Sequence, residues 1–200
     1  LRADEAPARP TLSTAARLKI PFWKPGYYRY SKLDTPGAVE RTLADVRPQI
    51  AGLVAMSKEY GITCGFHNHS GDYVGAAIWD TRELIRDLDP KSVGFYFDPA
   101  HSTTEGGLGG WRIAMNLVAP RLKMVALKDF YWAPSKGKTK QVWCPIGEGM
   151  VDWSSVFTRL KAAGFTGPLT LHVEYDPKDE LAAIARDYEF VRKQMSTVWG

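Results

Sequence analysis

The chain has little of what several function classes require. It carries two cysteines in 200 residues, and Cys64 and Cys144 fit neither a disulfide framework nor a zinc-ligand spacing. Cys64, inside an apolar run, reads as a small buried side chain. No apolar run approaches the ~20 residues needed to cross a bilayer, so no membrane-spanning helix and no membrane partner are expected. No glycine-rich phosphate turn follows any strand-like run, which argues against a doubly wound nucleotide-binding sheet. Concentrated charge of one sign is also missing. The formal charge of +4 is spread along the chain, and the modest cluster Lys136, Lys138 and Lys140 reads as a solvated loop, so no nucleic-acid partner is expected. No charged-then-apolar leader opens the sequence. The chain starts at Leu1, so upstream sequence stays open; a cytoplasmic location is favoured and export is not ruled out.

What is present is ample for one globular domain with a core: 44% hydrophobic and 24% charged side chains. Residues 1–16 read as a flexible tail or linker, because Ala, Pro and alternating charge offer little to bury. The domain itself is expected over residues 17–200. Apolar runs at 18–23, 62–67, 93–98, 122–128 and 169–174 read as strands, with a short further candidate at 142–146. Helical spacing covers 37–60, 78–88, 111–118, 153–163 and 179–195, closed by Gly61, Pro120 and Gly164. Strands alternating with helices predict right-handed crossovers and a parallel sheet in an α/β fold. A closed (β/α)8 barrel takes eight strands and about 250 residues, so a barrel here is incomplete at its N-terminal end, and a self-associated homo-oligomer stays open.

Three of the runs deliver ionisable groups at their C-terminal ends. Gly65-Phe66-His67-Asn68-His69-Ser70-Gly71-Asp72 places two histidines at i, i+2 before a glycine turn. Val93 to His101 ends in Asp98-Pro99-Ala100-His101, and Leu169 to Glu174 ends in His172-Val173-Glu174. A parallel barrel builds its active site in this way, on strand ends and the loops that follow.

The set Phe-His-Asn-His-Ser-Gly-Asp, Phe-Asp-Pro-Ala-His, Leu-Lys-Asp-Phe, Pro-Ile-Gly-Glu-Gly-Met-Val-Asp-Trp and His-Val-Glu-Tyr resembles the sugar phosphate isomerase/epimerase family of xylose isomerase-like TIM barrels. The similarity runs over residues 17 to 195 and implies strands three to eight of that fold. It implies a divalent metal held by a glutamate, an aspartate, a histidine and a second glutamate. Asp98 matches the aspartate, Glu174 the second glutamate, and His101 a residue that contacts substrate in relatives. Two positions depart: His67 stands in the place of the first glutamate and Ala126 in the place of the histidine. Ala126 is therefore expected to leave an open coordination position facing Asp98 and Glu174. Asp98, Glu174 and His67 or His69 would make a mixed oxygen and nitrogen site for manganese, zinc, cobalt, iron or magnesium, with Asn68 or Asp72 near enough to orient a histidine.

The implied chemistry is proton removal next to a sugar carbonyl, with the cation polarising the oxygen and a carboxylate taking the proton. Glu174 is the expected base, His67 the second base, and Lys128 a further catalytic group. Arg29, among Tyr27, Tyr28 and Tyr30, is expected at the rim, with His69, His101, Asp129, Glu148 and Trp132 as other substrate contacts; Trp132 and Trp143 would form a lid. His172 reads as a hydrogen-bonded core histidine in preference to a ligand. A small carbohydrate is the expected partner. The alternative is a catalytically reduced sugar-binding protein that keeps fold and pocket. A nuclease of the AP endonuclease kind fits poorly, with four histidines in all and no basic groove.

Overall fold

The computed structural model describes residues 6–200. Its chain runs through helix α1 (Ala8–Arg17), strand β1 (Phe22–Trp23), helix α2 (Ala38–Glu59), β2 (Thr63–His67), α3 (Trp79–Ile85), β3 (Val93–Phe97), α4 (Pro99–Gly106) and α5 (Gly110–Val118). It continues through β4 (Leu122–Leu127), β5 (Asp129–Ser135), β6 (Lys138–Cys144), α6 (Trp153–Ala162), β7 (Leu169–Leu171) and α7 (Glu180–Trp199). Five strands form one parallel sheet in the order β1-β2-β3-β4-β7. Helices cover its outer face.

Strand period two explains how the two faces divide. Cys64, Phe66, Phe95, Phe97, Val125 and Leu127 point outward into the main core with helix residues such as Ile50, Leu84, Met115 and Phe157. The alternate residues Tyr96, Met124 and Ala126 pack with Phe22 on the inner face. Each strand therefore ends, on that inner face, in the next alternate residue: Lys24, His67, Asp98, Lys128 and His172. All five are ionisable.

Three expectations need correction. Of the tail expected over residues 1–16, residues 1–5 lie outside the described residues, while 8–16 belong to α1, which buries Ala8 and Leu12. The run at 18–23 yields a strand of only two residues because Pro21 and Pro25 bracket it, and a proline cannot donate to a ladder. Residues 142–146 are not a further sheet strand: 142–144 lie in β6, which pairs antiparallel with β5 in a separate hairpin. β7 consequently sits directly beside β4, so five adjacent strands are present where six were expected.

Helix α4 arises without an apolar period. Asp98 caps it, its side chain accepting the His101 backbone N–H at 3.0 Å, and Pro99 takes the first helical position, where no N–H is needed. The same cap logic starts α6 at Asp152 and α7 at Asp179.

Candidate functional site

At the C-terminal end of the sheet the inner-face termini converge. Asp98 is fully buried. Its Oδ2 lies 3.2 Å from His67 Nε2, 3.4 Å from Lys128 Nζ and 3.9 Å from His101 Nε2. Burial alone would raise the Asp98 carboxyl, but the His67 hydrogen bond, the neighbouring His101 imidazole and the Lys128 ammonium hold it well below the ordinary carboxylate range. Asn68 ties the two strand ends together: its Nδ2 donates to the Asp98 carbonyl at 3.0 Å and its Oδ1 accepts the Asp98 N–H at 2.8 Å.

His67 is engaged at both ring nitrogens, by Asp98 and by the Tyr27 hydroxyl at 2.9 Å from Nδ1. With Asp98 ionised, Nε2 carries the hydrogen and Nδ1 accepts from Tyr27. Burial lowers the His67 pKa, against the opposing pull of Asp98, so the ring is neutral near pH 7. His69 stacks on His101 with centroids 4.0 Å apart and on Tyr73 at 4.3 Å. His101 is 1% exposed; its Nδ1 meets Ser70 Oγ at 2.9 Å, whereas its Nε2 is buried with no hydrogen-bond partner. Desolvation drives its pKa down to about 3.

Lys128, 2% exposed, donates to Glu174 Oε1 at 2.7 Å and lies 4.6 Å from the centroid of the Trp143 ring. Burial would raise Glu174; hydrogen bonds from His172 and Lys128 instead bring it down to about 2. His172, expected in the core, reaches the site: Nε2 meets the Tyr96 hydroxyl at 2.8 Å and Nδ1 lies 3.6 Å from Glu174 Oε1.

One group among the described residues has metal-holding geometry. His67, Asp98 and His172 offer ligand atoms that all lie within 4.8 Å of one another. Two imidazoles and a carboxylate suit zinc, manganese, iron or cobalt, and the orphaned His101 Nε2 faces the same carboxylate. The site can hold a divalent metal, although by a different trio from the one expected. Glu174, expected among the ligands, lies outside this group and accepts from Lys128, whereas His172 lies within it. Ala126 leaves no open coordination position either, for it is fully buried against Tyr96 and Met124. Tyr27 occupies the orienting position expected of Asn68 or Asp72.

Other expected contacts separate. Arg29 is at the rim, its guanidinium 3.9 Å from the Tyr73 ring centroid and hydrogen-bonded to the Tyr73 hydroxyl. Trp143 meets His101 edge-on at 5.4 Å, while Trp132 sits further out on the hairpin and is 42% exposed. Asp129 is no substrate contact: its carboxylate accepts the N–H groups of Phe130, Gly147, Gly149 and Val151 and the Trp153 indole. Glu148 turns away to Arg186 of α7 at 3.7 Å. Lys24, not among the expected site residues, ends β1 on the inner face with its Nζ 3.8 Å from the Tyr27 centroid; among the described residues it has no ion pair. The signals for Lys24 and His172 were their places one step beyond the inward alternation of β1 and β7. A cavity of about 510 Å³ at the opposite end of the sheet, lined by Phe22, Thr63, Lys91 and Lys123 among others, gathers no comparable chemistry.

A family model described as xylose isomerase-like TIM barrel matches residues 8–194. An inosose dehydratase of Geobacillus thermodenitrificans is 28% identical over 156 residues, covering 69% of this chain and 47% of that protein. The chain thus spans about half the length of the curated relatives it matches. Among solved structures, a D-tagatose 3-epimerase-like protein superposes with a TM-score of 0.76 at 20% identity, over 95% of this chain and 67% of that one. The IOLI protein with a zinc atom superposes at 0.72 with 14% identity, over 96% and 68%.

Proposed function

We propose, for a chain that belongs to the xylose isomerase-like TIM barrel family, that it carries the site of a carbohydrate-modifying enzyme that removes a proton from the carbon next to a carbonyl. The observation that carries this reading is the ionised Glu174 held beside the buried Lys128 at the mouth of the sheet. A dehydratase and an epimerase of keto sugars share that first step, and the similar proteins are called inosose dehydratase and D-tagatose 3-epimerase-like protein. Glu174 is the base. At rest Lys128 keeps its basicity low; a substrate oxygen that takes over the ammonium frees the carboxylate, and the same ammonium then faces the oxyanion that forms. His67, with both nitrogens engaged by Asp98 and Tyr27, is a member of the metal-holding trio and not a second base. A divalent cation on His67, Asp98 and His172 would supply Lewis-acid polarisation of the carbonyl. His69, Tyr73, Arg29 and Trp143 present ring faces and one cation to a small polyhydroxylated ligand.

The test is solvent exchange. The protein, loaded with zinc or manganese, is incubated in D2O with an inosose and with ketohexoses, and deuterium entry next to the carbonyl is followed by proton NMR. Exchange that drops by about 10²–10⁴ in Glu174→Gln supports the reading. Sugar binding by a folded protein that exchanges no proton would instead favour the binding-only role.

A further inference from the structure

Two carboxylates and the face of an indole surround one buried ammonium. Lys128 Nζ lies 2.7 Å from Glu174 Oε1 and 3.4 Å from Asp98 Oδ2, with Trp143 at 4.6 Å, and its side chain is 3% exposed. Asp98 is also a member of the trio with metal-holding geometry, whereas Glu174 is not. A dication seated among His67, Asp98 and His172 would therefore share Asp98 with a fixed positive charge and would lack Glu174. The other groups facing this point add little that favours it. Lys24 adds a second ammonium, near enough to disfavour protonation of His67, and His69 and His101 are neutral imidazoles.

We propose that Lys128 is the resident cation of this site: it neutralises the Asp98 and Glu174 pair in the metal's stead, holds Glu174 outside the coordination sphere, and so sets a weak affinity for divalent metal. The inference goes beyond the proton-transfer reading and does not require turnover, so it is measured without sugar. Lys128 acts here as a positioning residue, through Glu174 and through its charge. Like charges a few ångströms apart in a partly buried site oppose each other strongly, so a tenfold or larger change in affinity is expected when the ammonium is removed.

Zinc and manganese affinities of the protein are measured by calorimetry and by competition with a chromophoric chelator, for wild type, Lys128→Met, Lys128→Arg and Glu174→Gln. Lys128→Met is expected to bind at least tenfold more tightly than wild type, because Glu174 becomes free to ligate, while Lys128→Arg stays close to wild type. Adding Glu174→Gln to Lys128→Met should remove most of the gain. Folded Lys128→Met that binds no more tightly than wild type overturns the inference. If Lys128→Met does not fold, Glu174→Gln alone decides it: unchanged affinity supports a Glu174 held out of the coordination sphere, and a tenfold loss shows that Glu174 is already a ligand. A failed deuterium exchange leaves each of these outcomes intact.

Discussion

Asp98 and Asp129 are both fully buried aspartates at or just beyond strand ends, and their surroundings assign them opposite work. Asp98 faces side chains that carry or could carry charge. Asp129 faces five fixed N–H donors, four from the backbone and one from Trp153, and pins the 145–153 loop. Asp129→Ala strands those donors without partners, each worth roughly 1–3 kcal/mol when buried. We expect a loss of about 3–5 kcal/mol in urea unfolding; a loss below about 1 kcal/mol would mean that water replaces the carboxylate. His101 makes a second prediction. Its folded pKa is about 3 against an ordinary 6.5, so the unfolded chain takes up the proton first. Its stabilising contribution is complete above pH 6.5 and is lost as pH falls toward 3, at up to about 1.4 kcal/mol per pH unit. Glu174 acts in the same direction below 4.5, weakened by its exposure. The melting temperature should therefore fall between pH 7 and 4, and less steeply in His101→Gln; equal slopes would remove His101 as the titrating group.

Among the elements, those with a clear period were legible: α2, β2, β3, β4, α5, α6 and α7 fall within a few residues of expectation. α4 was missed because Pro99-Ala100-His101-Ser102-Thr103 buries polar as well as apolar side chains and so shows no stripe. The hairpin β5–β6 read as a loop because its outer part exposes Tyr131, Trp132 and several lysines. The inner face of the sheet was illegible from hydropathy alone, since glycine and alanine there make room for Tyr96 and Met124. Two glycines separate backbone crowding from side-chain crowding. A Cβ on Gly94 would come within 2.0 Å of the Arg121 carbonyl oxygen, whereas one on Gly65 would meet the movable end of Met124 at 2.3 Å. Gly94→Ala should cost on the order of 3 kcal/mol by forcing β3 from β4, and Gly65→Ala about 1 kcal/mol or less. Equal losses in chemical denaturation would contradict this division.

At the scale of the whole molecule, one continuous core joins the outer sheet face to the helices. Unfolding should therefore be a single transition, with far-UV circular dichroism and tryptophan fluorescence superimposing; separated midpoints would show that α7 or the hairpin melts independently. Excess zinc should raise the midpoint by mass action, more in Lys128→Met than in wild type. Fold class and the strand-end location of the site were legible because alternation places every second residue on one face and the turn follows the strand. The membership of the metal trio was not. Whether Glu174 or His172 meets Asp98 depends on where the Lys128 ammonium settles, and no one-dimensional pattern encodes that choice.

The hairpin starts at Asp129, just past the end of β4, and closes where Cys144 pairs with Asp129, both beside the loop that Asp129 clamps, while its tip turns through Lys136 and Gly137, each with positive φ, as a two-residue turn of the primed kind requires. The clamp fixes the root of the hairpin, and Gln141, donating to Thr104 Oγ1 at 2.9 Å, ties its second strand to α4 below the tip. A fluorophore, an affinity tag or a short foreign peptide spliced at Lys136–Gly137 would ride on a stalk whose root is fixed, so the molecule offers a handle for immobilisation and labelling away from the strand-end site.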